Sequence, residues 1–272
     1  MLGRLGRLGP SSLLALALGC TPAAEGPTPT PPPSEPEVVI DEAGLARAAD
    51  PDGAEDPAGG PKAAAAPEAV PQQINQRYAE QTDPGHWAGR FEREGREVFD
   101  HREAILDALG VRPGMRVADV GAGTGLFTMA LARAVGERGR VYAVDVQDYF
   151  LEHIERRAQQ AGLRNVQVVR AQQDAAGLPA GSVELVLMCD AYHHVEQPAA
   201  YLASLHAALA PGGRLAIVDY RAIAGQSDAW LLEHVRATPE QFRAEIEAAG
   251  FRFLRAHEGL LEENFFYEFE RP

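Results

Sequence analysis

Cysteine, positive charge and long apolar runs are all scarce in this sequence, and each scarcity excludes something. Only Cys20 and Cys189 occur in 272 residues. No disulfide framework can be built from them, and a thiolate-based zinc site lacks its ligands. Lys and Arg number 25 against 39 Asp and Glu, a net charge of −14. With no basic cluster to offset it, that charge repels phosphate backbones and argues against nucleic acid as a partner. The apolar stretch within residues 11–20 is too short to span a bilayer as a permanent helix. No internal repeat is present.

What is present is unevenly distributed. Between Thr21 and Pro71 lie 12 of the 20 prolines, with ten acidic residues against Arg47 and Lys62. Such a segment has too few large apolar groups to offset the entropy of ordering, which predicts an extended, disordered linker over residues 21–72. Residues 73–272 then form about one domain, long enough to bury a substantial core. The linker carries −8 and the first twenty residues +2, which leaves −8 on the domain.

Residues 1–20 have the layout of an export signal: Arg4 and Arg7, an apolar stretch, then small residues before Cys20. Ala17-Leu18-Gly19-Cys20 resembles the lipobox of bacterial lipoproteins, although Ala17 stands where that family usually has Leu. The resemblance implies lipidation at Cys20, a membrane anchor and a place in the bacterial cell envelope. A misassigned start site would instead leave a cytoplasmic protein. Methionine offers little support for that, because the next one after Met1 is Met115.

Along the domain, residues 73–110 read as helical and polar-rich, with Gly110 as a C-cap. Residues 115–121, 140–146, 165–171, 183–189 and 214–220 are short, nearly continuous apolar runs suited to buried strands. Helical patterns separate them over 126–136, 148–162 and 201–210. That alternation predicts a parallel sheet covered on both faces. The end of the chain departs from it. Thr238-Pro239-Glu240-Gln241 is a capping box that opens a helix running to Gly250. RFLRAHE and ENFFYEFE then follow as two strands with no helix between them, which predicts an antiparallel hairpin at one sheet edge.

The most informative stretch is Asp119-Val-Gly121-Ala-Gly123-Thr-Gly125, directly between a strand and a helix. Glycine there permits a tight turn and close ligand approach, and the helix N–H groups beyond it favour electron-rich ligand groups. Twenty residues after Gly125, Asp145 ends the second strand, where a carboxylate can accept hydrogen bonds from a ribose diol. The spacing is GxGxG and not the GxGxxG of dinucleotide sites. Asp119 would also oppose a pyrophosphate, yet it would attract an amino or sulfonium group.

DVGAGTG, Asp145, the segment Asp174-Ala-Ala-Gly-Leu-Pro179, LVLMCDAYHHV and LAPGGRLAIVD together resemble a class I S-adenosylmethionine (SAM)-dependent methyltransferase. The likeness is to the small-molecule, type 11-like group related to quinone-biosynthesis enzymes, and it spans residues 113–270. It implies a doubly wound Rossmann-like α/β fold with a seven-stranded, mostly parallel sheet and an antiparallel C-terminal hairpin. Implied SAM contacts are Asp119, Gly121, Gly123, Gly125, Asp145, Val146, Asp174, Ala175 and Cys189, with Asp174 on the adenine amino group. Residues 73–110 would be a helical lid.

Methyl transfer from a sulfonium needs chiefly alignment and exclusion of water, with a base only where the acceptor must lose a proton. The chemistry-bearing residues beyond the strand ends are Asp190, Tyr192, His193, His194, Tyr220 and Arg221. Of these, His194, His193 and Tyr220 are the candidate catalytic residues. Trp230, His234 and Arg236, and Trp87, Phe91 and Phe99, are candidates for lid packing around an acceptor. His193 and His194 with Asp190 make a poor chelate, because neighbouring strand residues face opposite ways, so no metal is expected. The expected reaction is methyl transfer to a small-molecule acceptor. Two other readings share the pattern: a non-catalytic exported SAM-binding scaffold, and a protein side-chain methyltransferase.

Overall fold

The computed structural model describes residues 72–272. The expected lipidation at Cys20, the signal segment and the Pro-rich linker lie outside the described residues, apart from the linker's last position.

Seven strands form one sheet: β1 (Arg116–Val120), β2 (Arg140–Asp145), β3 (Val166–Arg170), β4 (Val183–Cys189), β5 (Leu209–Tyr220), β6 (Arg252–Ala256) and β7 (Asn264–Glu270). Their order is β3-β2-β1-β4-β5-β7-β6. β1 to β5 pair in parallel, whereas β7 lies antiparallel to both β5 and β6. The expected fold class is therefore the one observed, with the terminal hairpin at one edge.

The continuous apolar runs are explained by burial on both faces. In β4, Leu185 and Leu187 join a cluster with Val117, Leu131 and Phe266 on one side. Val186 and Met188 join Ala118, Leu205 and Phe242 on the other. The helices α5 (Leu126–Val135), α6 (Asp148–Gln160), α7 (Pro198–Ala208) and α9 (Pro239–Ala248) supply the covering layers. Among the described residues, no helix is long and apolar enough to cross a membrane.

Capping chemistry sets several boundaries. Thr238 accepts from the Gln241 backbone N–H while the Gln241 side chain accepts from Thr238 N–H, the reciprocal pair the sequence predicts. Gly110 ends its helix in the left-handed region at φ 60°. Two expectations shift. The N-terminal helical segment divides into α1 (Gln72–Glu80), α2 (Pro84–Phe91), α3 (Glu97–Asp100) and α4 (Arg102–Leu109). Asp83 caps α2 by accepting from Gly85 N–H, and Pro84 cannot continue the helix before it. The Pro211-Gly212-Gly213 stretch is not a separate turn, because β5 already begins at Leu209, which pairs with Val183. An irregularity between Val183 and Leu185 absorbs the extra residues. Gly212 N–H donates to Arg271 O and Arg271 N–H to Gly213 O, which ties this bulge to the chain end.

Candidate active site

The carboxyl ends of the parallel strands gather the chemistry-bearing residues, as open α/β sheets require. At one end of this crevice lies the glycine loop after β1. Gly121, Gly123 and Gly125 all have positive φ, at 73°, 52° and 85°. Gly121 also has no room for a side chain, since a Cβ there would meet Ala191 Cβ at 2.4 Å. The N–H groups of Gly121 and Ala122 both donate to Val144 O, at 2.8 and 3.0 Å.

Asp145 holds this loop from below. Its Oδ2 accepts from Gly123 N–H and its Oδ1 from Gln147 N–H, each at 2.9 Å. The carboxylate is buried, and that burial pushes its pKa up to about 6 against the favourable backbone donors. Two acceptor positions remain on the ionised group, which matches the demand of a ribose diol. Asp119 is also buried and accepts from Thr128 Oγ1 at 2.5 Å. Burial raises it to about 6 as well. Its observed role is to tie β1 to α5.

Val146 and Ala175 are half-buried beside this end, and Asp174 is exposed on the loop before β4. That loop is set by Gln172 N–H donating to Ala175 O at 2.8 Å and Ala176 N–H to Ser204 Oγ at 3.0 Å. Cys189 is half-buried at the β4 exit, and burial pushes its thiol well up, so it is not a thiolate nucleophile.

The N-terminal helical segment contacts this end directly. Arg157 on α6 donates to Glu92 Oε1 at 2.5 Å and to Thr124 O at 2.7 Å. Thr124 Oγ1 donates to the same Glu92 oxygen at 2.6 Å. Trp87 is buried and stacks between Tyr78 and Phe91, with centroids 4.6 and 5.5 Å away. Trp87 and Phe91 therefore pack within the N-terminal helical segment. Phe99 packs under the Arg102 guanidinium, 4.5 Å from its ring centroid.

The β4 exit separates the candidates that the sequence grouped. Asp190 adopts φ 47°, rare for a residue with a side chain. Its carboxylate accepts from Arg96 Nη2 and Asn264 Nδ2, each at 2.6 Å. Asp190 thus joins the N-terminal helices to β7, and it is not one of the three residues of the histidine cluster. Glu97 reinforces the same seam, accepting from the backbone N–H groups of Glu262, Glu263 and Asn264. Tyr192 donates to Glu245, which Arg236 grips with both terminal nitrogens at 2.7 and 2.9 Å. Tyr192 and Arg236 therefore anchor α9. Arg221 donates from Nε to Asn264 O at 2.9 Å.

His193 and His194 lie on a single 3₁₀ turn, Tyr192–His194, followed by α8 (Ala229–His234) further along the chain. His193 is buried; its Nδ1 donates to Asp219 Oδ1 at 2.7 Å, and its backbone N–H donates to Oδ2 at 3.1 Å. Its Nε2 lies 3.2 Å from His234 Nε2. His194 Nδ1 lies 2.8 Å from Asn75 Oδ1, and its Nε2 lies 3.5 Å from the Tyr78 hydroxyl. Burial depresses the His194 pKa well below the usual imidazole value and brings His234 to about 4. Tyr220 lies 5.9 Å, ring to ring, from His193. The Asp190 charge, then burial, raises its pKa, so it is a hydroxyl donor and not a phenolate base. Trp230 is exposed and packs edge-on against Tyr220.

Sequence reasoning missed Asp219, Asn75 and Tyr78 as partners and did not join His234 to the histidine pair. Asp219 alone carried a signal, as the last acid of β5. The others reach the site from helices more than a hundred residues before β4 or forty after it, and no spacing rule connects them.

Residues 117–213 match the family model described as a methyltransferase domain. A ubiquinone/menaquinone biosynthesis C-methyltransferase of Shewanella pealeana is 31% identical over 116 residues, covering 42% of this chain and 46% of that protein. The chain thus spans about half the length of the curated relatives it matches. A SAM-dependent methyltransferase from Aquifex aeolicus has the same fold at TM-score 0.61 and 29% identity, over 70% of this chain and 99% of that one. The [4+2]-cyclase SpnF matches at TM-score 0.58 and 20% identity, over 71% and 77% of the two chains, a likeness of fold alone. In fold and over the matched segment the chain is similar to SAM-dependent methyltransferases. Its matched part contains the glycine loop, Asp145 and the two adjacent histidines. His234, the N-terminal helices and the terminal hairpin lie outside it.

Proposed function

We propose that this domain transfers a methyl group from SAM to a small-molecule acceptor. Asp145 carries the reading: a buried carboxylate at the β2 end, bound to the glycine loop yet with acceptor capacity remaining. The glycine cradle and the cluster of polar donors fit a nucleoside-bearing methyl donor. When bound, SAM supplies an already activated methyl group with a neutral leaving group.

The work left to the protein is alignment and dryness. Asp145 takes the ribose hydroxyls, and Asp174 and Ala175 flank the adenine. Val146 and Cys189 line the same crevice, and Asp119 holds β1 and α5 in register beneath the loop. Trp87, Phe91 and Tyr78 close the lid side against water. At the acceptor end, Asp219 holds the His193 Nδ1–H, which leaves the lone pair on Nε2, beside His234, to take a proton from a hydroxyl acceptor. Tyr220 donates a hydrogen bond there, and His194 shapes the pocket through Asn75 and Tyr78.

The test is transfer of label from methyl-labelled SAM into a metabolite extract. The expected result is label in an extractable small molecule with the wild type and its loss with Asp145→Ala. Label confined to protein would favour side-chain methylation, and no transfer from the wild type would overturn the reading.

The site of action is proposed to be the cell envelope, with Cys20 lipidated, on the strength of the export-type residues 1–20 and the Pro-rich tether after them. Membrane fractionation of the wild type and Cys20→Ser tests it. Equal amounts of soluble, uncleaved protein in both would refute the anchor.

A further inference from the structure

Three histidines that the sequence holds apart meet at the acceptor end. One ring nitrogen each of His193, His194 and His234 lies within 4.8 Å of the other two. The closest pair, His193 Nε2 and His234 Nε2, is 3.2 Å apart. Two imidazoles on one tetrahedral ion at about 2.0–2.1 Å have nitrogens about 3.3 Å from each other. This pair therefore has the spacing of a chelate already.

The surrounding hydrogen bonds point the ring nitrogens the same way. Asp219 accepts from His193 Nδ1 at 2.7 Å. Asn75 donates its amide to His194 O and to Glu196 Oε1, at 3.0 and 2.8 Å, so its oxygen is the atom facing His194 Nδ1. His194 Nδ1 consequently carries the proton. Both rings keep Nε2 lone pairs for a ligand, and both are oriented by an oxygen acceptor behind them, the usual outer arrangement of histidine metal sites. The cluster also already holds a cation: Arg77 Nη2 lies 3.0 Å from His234 Nδ1 and 3.3 Å from its Nε2. An ion bound to His234 must displace that guanidinium.

We propose that His193, His194 and His234 bind a divalent cation of the zinc class, with Asp219 and Asn75 orienting two of the ligands and Arg77 competing for the third. Imidazole ligands without carboxylates or thiolates select such borderline ions over magnesium or calcium. The fourth position is left for water or an acceptor oxygen. How the ion is used rests on the methyl-transfer reading. An acceptor hydroxyl bound to the ion gives its proton to bulk water. The O–C bond then forms as the S–C bond breaks, with the electron pair remaining on sulfur as a neutral thioether. The acceptor class is then a phenol, ene-diol or hydroxy compound, and His193 serves as a ligand in place of a base.

The full chain, stripped by a chelator, is titrated with Zn²⁺ against a chromophoric competitor and separately with Co²⁺. One ion per chain is expected, with visible cobalt bands and no thiolate charge-transfer band. His193→Ala and His234→Ala should abolish binding, and Asp219→Asn should weaken it by about 10- to 100-fold. Arg77→Gln should tighten it, a gain that misfolding cannot imitate. No zinc binding, or binding unchanged in both histidine variants, overturns the proposal. SAM binding is measured on the same samples. A chain that binds SAM but no ion loses this site and keeps the methyl-transfer reading, whereas ion binding without SAM does the reverse.

Discussion

The two ends of the crevice are built by opposite means. The glycine-loop end is made of backbone: positive-φ glycines, N–H groups on Val144 O, and one carboxylate anchored by two more N–H groups. Nearly all of it comes from residues 117–147. The histidine end is made of side chains from four separate places, α1, the turn after β4, the end of β5 and α8. At the backbone-made end the N–H groups survive most substitutions, and the constraint falls on the positive-φ glycines and on Asp145. A side-chain site can be rebuilt one residue at a time. Residues 117–147 lie within the matched segment 117–213, whereas the histidine end lies in it only in part.

If that comparison is right, the largest effect comes from the backbone end. Gly121→Ala forces a Cβ to within 2.4 Å of Ala191 Cβ at φ 73°, and should cost about 3 kcal/mol of stability in urea unfolding. Gly123→Ala meets only Phe91 at 3.5 Å and should cost about 1 kcal/mol, mainly for its positive φ. Equal costs would mean that crowding against Ala191 is not what demands glycine.

Next in size is Asp145→Ala, expected to weaken SAM binding by roughly 1.5–3 kcal/mol, the scale of hydrogen bonds to a charged group. Calorimetry checks it, and an unchanged affinity would move the ribose elsewhere. A smaller effect separates binding from stability through pH. Asp145 titrates at about 6 in the folded chain, above its ordinary value of 3.8. Its raised value stabilises the folded state below about 4, and that contribution is lost as pH rises to about 6. SAM affinity should move oppositely, falling as pH drops from 7.5 to 5 and the carboxylate protonates. His234, lowered to about 4 from 6.5, adds stability that grows across the window from 4 to 6.5. The two stability terms oppose each other, so affinity is the cleaner readout. The smallest effect is the expected invariance of SAM affinity in His193→Ala, within about twofold, since His193 shares no hydrogen bond with the glycine loop. A large loss would merge the two ends into one site.

The same contrast decided what the sequence revealed. The glycine loop, Asp145, the Thr238 capping box and the hairpin edge were legible because each is written in adjacent residues or in a strand period. Asp190 was grouped with the chemistry-bearing residues beyond the strand ends, because nothing local announces that Arg96 and Asn264 claim it. Tyr192 likewise looked available until Glu245 and Arg236 were found beside it. His234 was noticed only as a lid residue, since its meeting with His193 depends on how α8 returns over β4 and β5. Local chemistry survives translation into sequence; convergence of distant helices does not.

The central claim, a methyl-donor site organised by Asp145, is tested most directly by calorimetric titration of the chain with SAM, in the wild type and in Asp145→Ala. The account predicts saturable one-to-one binding to the wild type and binding weaker by roughly 10- to 100-fold in the variant. No binding to the wild type at millimolar SAM, or equal binding to both, would contradict it.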